Sequence, residues 1–179
     1  IWGDRKLKEE ISHLYEHISP DEILTEHGAT GGNQHIFFSL IRPGDRVIAY
    51  APSYQQFYLA PRSLGAQVTV LHLKKEKGYL PDLEELKQAA RRGVRMICLN
   101  NPNNPTGALI PEEILQKVIR IARDFDAYLL VDEVYRHLIQ SDDWQPSIVD
   151  MYEKGISTSS MSKVFSLAGI RLGWIATHD

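Results

Sequence analysis

Lys163 is the side chain in this sequence with the clearest capacity for chemistry. It closes the segment Ser-Met-Ser-Lys, and Arg171 follows after a short loop. A lysine amine that its surroundings keep neutral forms a covalent imine with an aldehyde. An arginine guanidinium stays charged and binds a phosphate through two parallel hydrogen bonds. Together the two residues suggest pyridoxal phosphate, an aldehyde that also carries a phosphate.

Asp132 ends the apolar run Tyr-Leu-Leu-Val. A carboxylate in that position is costly unless it is paired or solvated. It is either a helix cap or the partner of a cationic ring nitrogen. Tyr135 follows three residues later, and a helical turn would place both side chains on one side. Glu133 is interpreted as a structural ion-pair partner, because Asp132 lies nearer the end of the apolar run.

Three further segments carry polar or flat side chains. In the loop 100–107, two prolines restrict the backbone and could hold the Asn104 amide at a fixed angle. The small residues 28–33 begin an expected helix, where they form either a phosphate site or a turn capped by Thr30. They do not match the dinucleotide pattern G-x-G-x-x-G. Tyr54 either stacks on a flat heterocycle or belongs to the core.

The elements around these residues predict an α/β fold, because short apolar runs alternate with segments of helical period. Strands are expected at residues 46–50, 68–73, 96–100, 128–131, 156–160 and 172–176, and residues 23–27 form a strand or a helix end. Helices are expected at residues 7–18, 31–41, 55–64 and 111–125, with another that begins after Asp82. The polar segments follow the carboxyl ends of strands, the edge where open α/β sheets bind ligands.

Composition excludes several classes of function. The 179 residues are 43% hydrophobic and 24% charged, with a formal net charge of −3. This charge favours neither nucleic acid nor an anionic membrane as a partner. Cys98 is the only cysteine, so an intrachain disulfide is impossible, and a cytoplasmic location is expected. His13 and His17 share a helical spacing without a further ligand cluster, so no metal site is expected.

The motifs together resemble those of the class I/II aminotransferases, pyridoxal-phosphate enzymes of fold type I. The resemblance spans essentially all 179 residues and rests on Asn-Pro-Thr-Gly at 104–107, Asp132-x-x-Tyr135, and Ser160-x-x-Lys163 with Arg171. It implies a three-layer α/β/α fold with a mostly parallel central sheet. Residues 1–179 would form a single, partial cofactor-binding large domain, without the family's small C-terminal domain and N-terminal segment. It also implies that the parent protein is a homodimer and that the isolated fragment is inactive.

The resemblance also implies a role for each site residue. Lys163 would hold pyridoxal phosphate as a Schiff base and then shuttle protons. Asp132 would keep the pyridine nitrogen protonated, and Tyr54 would stack on the ring. The residues implied for the phenolic oxygen are Asn104 and Tyr135. The residues implied for the phosphate are Ala29, Thr30, Ser160 and Arg171, whereas Ser162 does not match the family's phosphate serine.

The implied function is transfer of an amino group between an amino acid and a 2-keto acid. Enzymes with the same site instead act as lyases, decarboxylases or cyclases, and these remain alternatives. Another alternative is the cofactor-sensing domain of a transcription regulator, which uses the same fold and lysine. A penicillin-binding hydrolase also carries Ser-x-x-Lys, but its companions Ser-Asp-Asn and Lys-Thr-Gly are missing from the sequence.

Overall fold

A seven-stranded sheet forms the centre of the molecule. The computed structural model describes residues 3–138 and 144–178. The strands are β1 (Ile23–His27), β2 (Arg46–Ala51), β3 (Gln67–His72), β4 (Met96–Asn100), β5 (Tyr128–Asp132), β6 (Gly155–Ser160) and β7 (Leu172–Thr177). All six expected strands are present, and residues 23–27, for which strand and helix end were both open, form a strand.

The sheet is mostly parallel, as predicted. Its strand order is β1-β7-β6-β5-β4-β2-β3. Strands β2 to β6 pair in parallel, whereas β7 runs antiparallel to both β6 and β1. The carboxyl ends of β4, β5 and β6 are therefore neighbours at one edge: Asn100 pairs with Asp132, and Asp132 with Thr158.

Helices cover both faces of the sheet. They are α1 (Arg5–Ser12), α2 (Gly28–Leu40), α3 (Gln56–Ser63), α4 (Leu83–Ala90), α5 (Glu112–Asp124) and α6 (Ile148–Met151). Alternate strand residues point to opposite faces. Ile97 and Leu129 thus pack with α4 and α5 in one core, whereas Met96 and Leu130 pack with α2 and α3 in the other. The two cores on either side of one sheet confirm the three-layer α/β/α architecture.

Two helices differ from their predicted bounds. The first helix ends at Ser12 rather than continuing to residue 18, because the Asp150 carboxylate accepts the backbone N–H groups of Glu16 and His17 at 3.0 and 2.9 Å. A tertiary contact thus replaces the helical hydrogen bonds. Helix α2 begins at Gly28, three residues earlier than predicted, so residues 28–31 form its first turn.

The described residues lack two features that would indicate other classes of function. Among residues 3–138 and 144–178, no helix combines the length and apolar character that crossing a membrane requires. In the same residues, no three His, Cys, Asp or Glu side chains cluster as metal ligands would. Cys98 is a free thiol within the core, and burial raises its pKa.

Candidate active site

The carboxyl edge of the sheet contains a cavity of about 230 Å³. It lies where β4, β5 and β6 end and where α2 begins. The structure brings all of the site residues expected from the sequence to its wall. These are Ala29, Thr30, Tyr54, Asn104, Asp132, Tyr135, Ser160, Lys163 and Arg171. Side chains that lie as far apart in the sequence as Ala29 and Arg171 therefore line the same cavity.

Lys163 lies in the loop that follows β6, and its side chain is exposed at the mouth of the cavity. Its Nζ is 5.9 Å from the ring centroid of Tyr135, which places the amine over an aromatic face. Tyr135 belongs to the turn after β5, so two adjacent parallel strands deliver the two side chains. The amine is thus accessible to a small molecule that enters the cavity.

The start of helix α2 forms the second end of the cavity. Within the described part of the chain, no side chain caps this helix end, so backbone N–H groups of its first turn remain available to an anion. The Thr30 hydroxyl, 2.9 Å from the Tyr54 hydroxyl, and Ser160 lie at the same end. Arg171 adds a guanidinium, which also donates to the Ala168 carbonyl at 3.0 Å. Together these donors suit a phosphate group.

Two glycines allow this helix end to approach the sheet. Gly173 lies in β7, and a Cβ there would be 2.6 Å from the backbone nitrogen of Ala29. Gly28 has φ +73°, and a Cβ there would be 2.7 Å from Nη2 of Arg171. Any larger residue would move the helix end or the guanidinium. The close approach therefore sets where an anion could bind.

Gly173→Ala is expected to lower the free energy of unfolding by about 2 kcal/mol, a typical cost of overpacking. It should also weaken phosphate-dependent cofactor binding, because the start of α2 would shift outward. Chemical denaturation and a cofactor titration measure the two effects. Gly169→Ala is the matched control, since a Cβ at Gly169 meets nothing within 4 Å. Equal stability of the two variants would contradict the prediction.

Asp132 is the buried acid of the site, with 4% of its surface exposed. One carboxylate oxygen accepts the Val134 N–H at 3.1 Å, and the other accepts the Asn33 side-chain amide at 3.3 Å. Burial raises the pKa of Asp132 from 3.8 to about 6, while these hydrogen bonds and the positive charge of Lys163 oppose the rise. The carboxylate at neutral pH is therefore charged, desolvated and poised for a cationic partner.

The Glu133 carboxylate is held by hydrogen bonds rather than by the ion pair expected from the sequence. Its carboxylate accepts hydrogen bonds from the Ser147 and Ser157 hydroxyls, at 2.7 and 2.8 Å, and from the Ile148 N–H at 2.8 Å. Burial raises its pKa, and the charge of Arg136 opposes the rise. Hydroxyl and backbone donors thus hold Glu133 in place of a cationic contact.

The loop after β4 presents Asn104. The side-chain oxygen Oδ1 of Asn100 accepts the Asn104 backbone N–H at 2.6 Å, and the Asn100 side-chain amide donates to the Asp132 backbone carbonyl at 2.9 Å. Asn103 anchors the loop further by donating to the Pro52 carbonyl at 3.1 Å. A network of side-chain amides therefore holds the exposed Asn104 side chain at the cavity wall.

Several residues of the site were not identified from the sequence. Asn33 contacts the Asp132 carboxylate, Asn100 fixes the Asn104 loop, and Gln56 bonds to the start of α2. A signal for Asn33 was present, since it lies four residues after Ala29 and therefore on the same face of α2. Ser162 also lines the cavity beside Ser160, 3.5 Å from the Arg171 guanidinium.

The donor set fits pyridoxal phosphate. An amine, a buried carboxylate, and an anion-binding helix end with a guanidinium surround one cavity. The cofactor requires these three groups for its aldehyde, its ring nitrogen and its phosphate respectively. The close approach at Gly28 and Gly173 leaves the first turn of α2 and Arg171 side by side, as a shared anion site needs.

Known proteins with similar sequences are aminotransferases. The family described as "Aminotransferase class I and II" matches residues 1–179. An aspartate aminotransferase from Pyrococcus horikoshii is 33% identical, and the alignment covers 97% of this chain and 46% of that protein. An LL-diaminopimelate aminotransferase from Syntrophobacter fumaroxidans is 30% identical, covering 97% of this chain and 44% of that protein. The chain thus spans about half the length of these relatives.

Solved structures agree with the sequence matches. A PLP-dependent aminotransferase from Streptococcus suis superposes with a TM-score of 0.93 at 47% identity, covering 98% of this chain and 46% of that one. An aspartate aminotransferase from Thermotoga maritima gives a TM-score of 0.88 at 28% identity, covering 99% and 49%. The chain belongs to the class I and II aminotransferases, a family that depends on pyridoxal phosphate.

Proposed function

We propose that residues 1–179 are the large-domain part of an aminotransferase that moves an amino group between an amino acid and a 2-keto acid. The observation that carries the proposal is the single cavity, whose wall holds Lys163, Asp132 and Arg171 together with the start of α2. The relatives named above support the reaction class, because they are named as aminotransferases. The chain is one part of the proposed enzyme, since those relatives are about twice as long.

Each group of the wall would hold one part of the cofactor. The start of α2, with Ala29 and Thr30, would bind the phosphate together with Ser160 and Arg171. Lys163 would bind the aldehyde covalently through Nζ. Asp132 would accept a hydrogen bond from the ring nitrogen and keep it protonated, because a buried carboxylate stabilises a neighbouring positive charge. The Tyr54 ring would stack on the pyridine.

Bound pyridoxal phosphate supplies an electron sink for the bonds of the substrate α-carbon. The protein's contribution is placement and proton transfer. Lys163 Nζ, once free, would take the α-proton and return it, a role that suits an exposed amine at the cavity mouth. The Tyr135 hydroxyl and the Asn104 amide would donate to the phenolic oxygen and stabilise its anionic form.

The partners of the proposed enzyme follow the same reasoning. The substrates would be an amino acid and a 2-keto acid, and the names of the relatives make aspartate and LL-diaminopimelate the first amino donors to test.

We propose a homodimer, supported by three exposed apolar side chains in the loop between Lys163 and Arg171: Phe165, Leu167 and Ile170, which are 40%, 48% and 56% exposed. A cytoplasmic location is supported by the single, unpaired cysteine.

A half-reaction screen tests the proposed activity. The full-length protein, loaded with pyridoxal phosphate, is mixed with one amino acid at a time, and absorbance and keto-acid release are followed. The expected result is a stoichiometric keto acid from at least one donor and restoration of the starting spectrum by a second 2-keto acid. Release of CO₂, ammonia or a thiol instead would assign the protein to the lyase or decarboxylase alternatives.

The isolated chain of residues 1–179 is expected to show no transamination. Lys163, Asn104 and Arg171 are exposed at the cavity mouth, so within residues 3–138 and 144–178 the proposed reacting groups stay open to water. The measurement compares turnover of the isolated chain and of the full-length protein at equal concentration. Detectable amino-group transfer by the isolated chain would overturn the expectation.

A further inference from the structure

Asn33 is a fully buried polar residue that bonds directly to the Asp132 carboxylate. It lies in the second turn of α2, counted from the helix end that faces the cavity, and none of its surface is exposed. Its amide nitrogen donates to Asp132 Oδ2 and to Gln56 Oε1, each at 3.3 Å. Its carbonyl oxygen accepts the Thr158 hydroxyl at 2.9 Å. Both N–H groups and the carbonyl oxygen of the Asn33 side chain therefore have hydrogen-bond partners.

The neighbours of Asn33 admit one orientation of its amide. A flipped amide would turn its oxygen toward the carboxylate of Asp132 and the amide oxygen of Gln56, which are both acceptors. The Gln56 oxygen itself is fixed, because the Gln56 nitrogen donates to the Thr30 carbonyl at 2.8 Å. One N–H of Asn33 thus points at Asp132.

The same contacts join the two ends of the cavity. Thr30 lies in the first turn of α2, where the phosphate would bind, and Asp132 lies where the ring nitrogen would be. Gln56 and Asn33 connect them through a continuous line of hydrogen bonds. The distance between the phosphate site and the carboxylate is therefore set by side-chain amides as well as by backbone.

We propose that Asn33, held by Thr158, is a positioning residue that keeps the Asp132 carboxylate ionised and aimed at the cofactor's ring nitrogen. The inference rests on the proposed function, since it concerns the carboxylate assigned there to the ring. Asn33 does not line the cavity, so it acts through Asp132 without touching substrate or cofactor.

Other charges also act on Asp132 and define what Asn33 contributes. Glu133, adjacent on the chain, raises the pKa of Asp132, whereas Lys163, from the loop after β6, lowers it. Arg171 lines the same cavity. Burial is the largest influence and favours the protonated acid, and the Asn33 hydrogen bond opposes it. In the loaded enzyme, the ring nitrogen and the Asp132 carboxylate would compete for one proton. Loss of the Asn33 hydrogen bond would therefore move that proton from the ring nitrogen toward Asp132.

The test uses the full-length holoenzyme loaded with pyridoxal phosphate that carries ¹⁵N in its ring. Asn33→Leu removes the donor at similar volume, and Thr158→Val removes the hydroxyl that fixes the donor. Thr158→Ser keeps that hydroxyl and serves as the conservative rescue. Asn101→Leu is the matched structural control, because Asn101 is a buried asparagine whose side chain bonds to Gln145 and Ile110.

The expected result is a ¹⁵N resonance shifted toward unprotonated pyridine in Asn33→Leu, and a smaller shift in Thr158→Val. Thr158→Ser and Asn101→Leu should keep the wild-type resonance even if they are less stable. If Asn33→Leu does not fold, Thr158→Val alone decides the outcome. A wild-type resonance in every folded variant overturns the inference. A wild-type protein that takes up no cofactor overturns the proposed function instead.

A second readout needs no cofactor. In the cofactor-free full-length protein, the pKa of Asp132, followed by carboxyl NMR, should rise by about one unit in Asn33→Leu, as expected for the loss of a hydrogen bond to a charged group. Asn101→Leu should leave that pKa unchanged. An unchanged pKa in Asn33→Leu would show that Asn33 has a packing role alone.

Discussion

Lys163→Ala is expected to reduce transamination by the full-length protein at least about 10⁴-fold, the upper range for loss of a general acid–base group. The same change should let pyridoxal phosphate dissociate on dialysis, since only non-covalent contacts would then hold the cofactor. Both effects follow because one amine is proposed to anchor the cofactor and to carry the α-proton. Steady-state kinetics and the cofactor content after dialysis measure them.

Lys154 provides the matched control for this prediction. Lys154 directly precedes β6, whereas Lys163 follows β6. Lys154 therefore lies at the opposite end of the same strand, where its side chain pairs with Asp126. Lys154→Ala should retain the wild-type rate and cofactor content. Substantial turnover by Lys163→Ala, or an equal loss in both variants, would remove Lys163 from the mechanism.

Asp132→Asn is expected to lower kcat by about 10²–10³-fold, the range for removing one preorganised electrostatic group. Without the carboxylate the ring nitrogen loses its counter-charge, and the electron sink weakens. Kinetics under saturating cofactor separate this effect from weaker binding. A rate within a factor of a few of wild type would contradict the assignment.

The same substitution should make the cofactor-free protein more stable, relative to wild type, at neutral pH than at pH 4. Asp132 holds its proton more tightly when folded, because its pKa is about 6 instead of 3.8. Its contribution to stability is therefore fully present below pH 4 and is lost as the pH rises through 6. A two-unit difference corresponds to about 3 kcal/mol, an upper value for the gain in Asp132→Asn.

Denaturation between pH 4 and 7 measures this gain as the difference between Asp132→Asn and wild type. Asp82 is the control of opposite sign, because its hydrogen bonds and the charge of Lys77 lower its pKa to about 2. Asp82→Asn should therefore lose stability relative to wild type above pH 4. A stability difference for Asp132→Asn that does not grow with pH would show that burial of this carboxylate carries no cost.

The sequence predicted the fold and the site wherever local pattern decides the outcome. Apolar runs such as residues 96–99 and 128–131 have the composition of buried parallel strands. The polar residues that follow such strands had to meet at one edge. This reasoning brought Lys163, Asp132 and Asn104 to a common region without any knowledge of contacts.

Long-range contacts account for what the sequence did not predict. The bond from Asn33 to Asp132 joins residues 99 positions apart, and a single buried asparagine in a helix gives no sign of its partner. The early end of α1 depends on Asp150, which lies more than 130 residues downstream. The hydroxyl partners of Glu133 are likewise set by packing between distant segments rather than by local pattern.

Borohydride reduction of the full-length protein loaded with pyridoxal phosphate, followed by peptide mass spectrometry, tests the central claim most directly. Reduction makes a bond between the cofactor and a lysine permanent, so the labelled residue identifies the anchor. The account predicts one labelled peptide, carrying the pyridoxyl group on Lys163, and loss of the label in Lys163→Ala. Label on a different lysine, or a reduced protein without label, would contradict it.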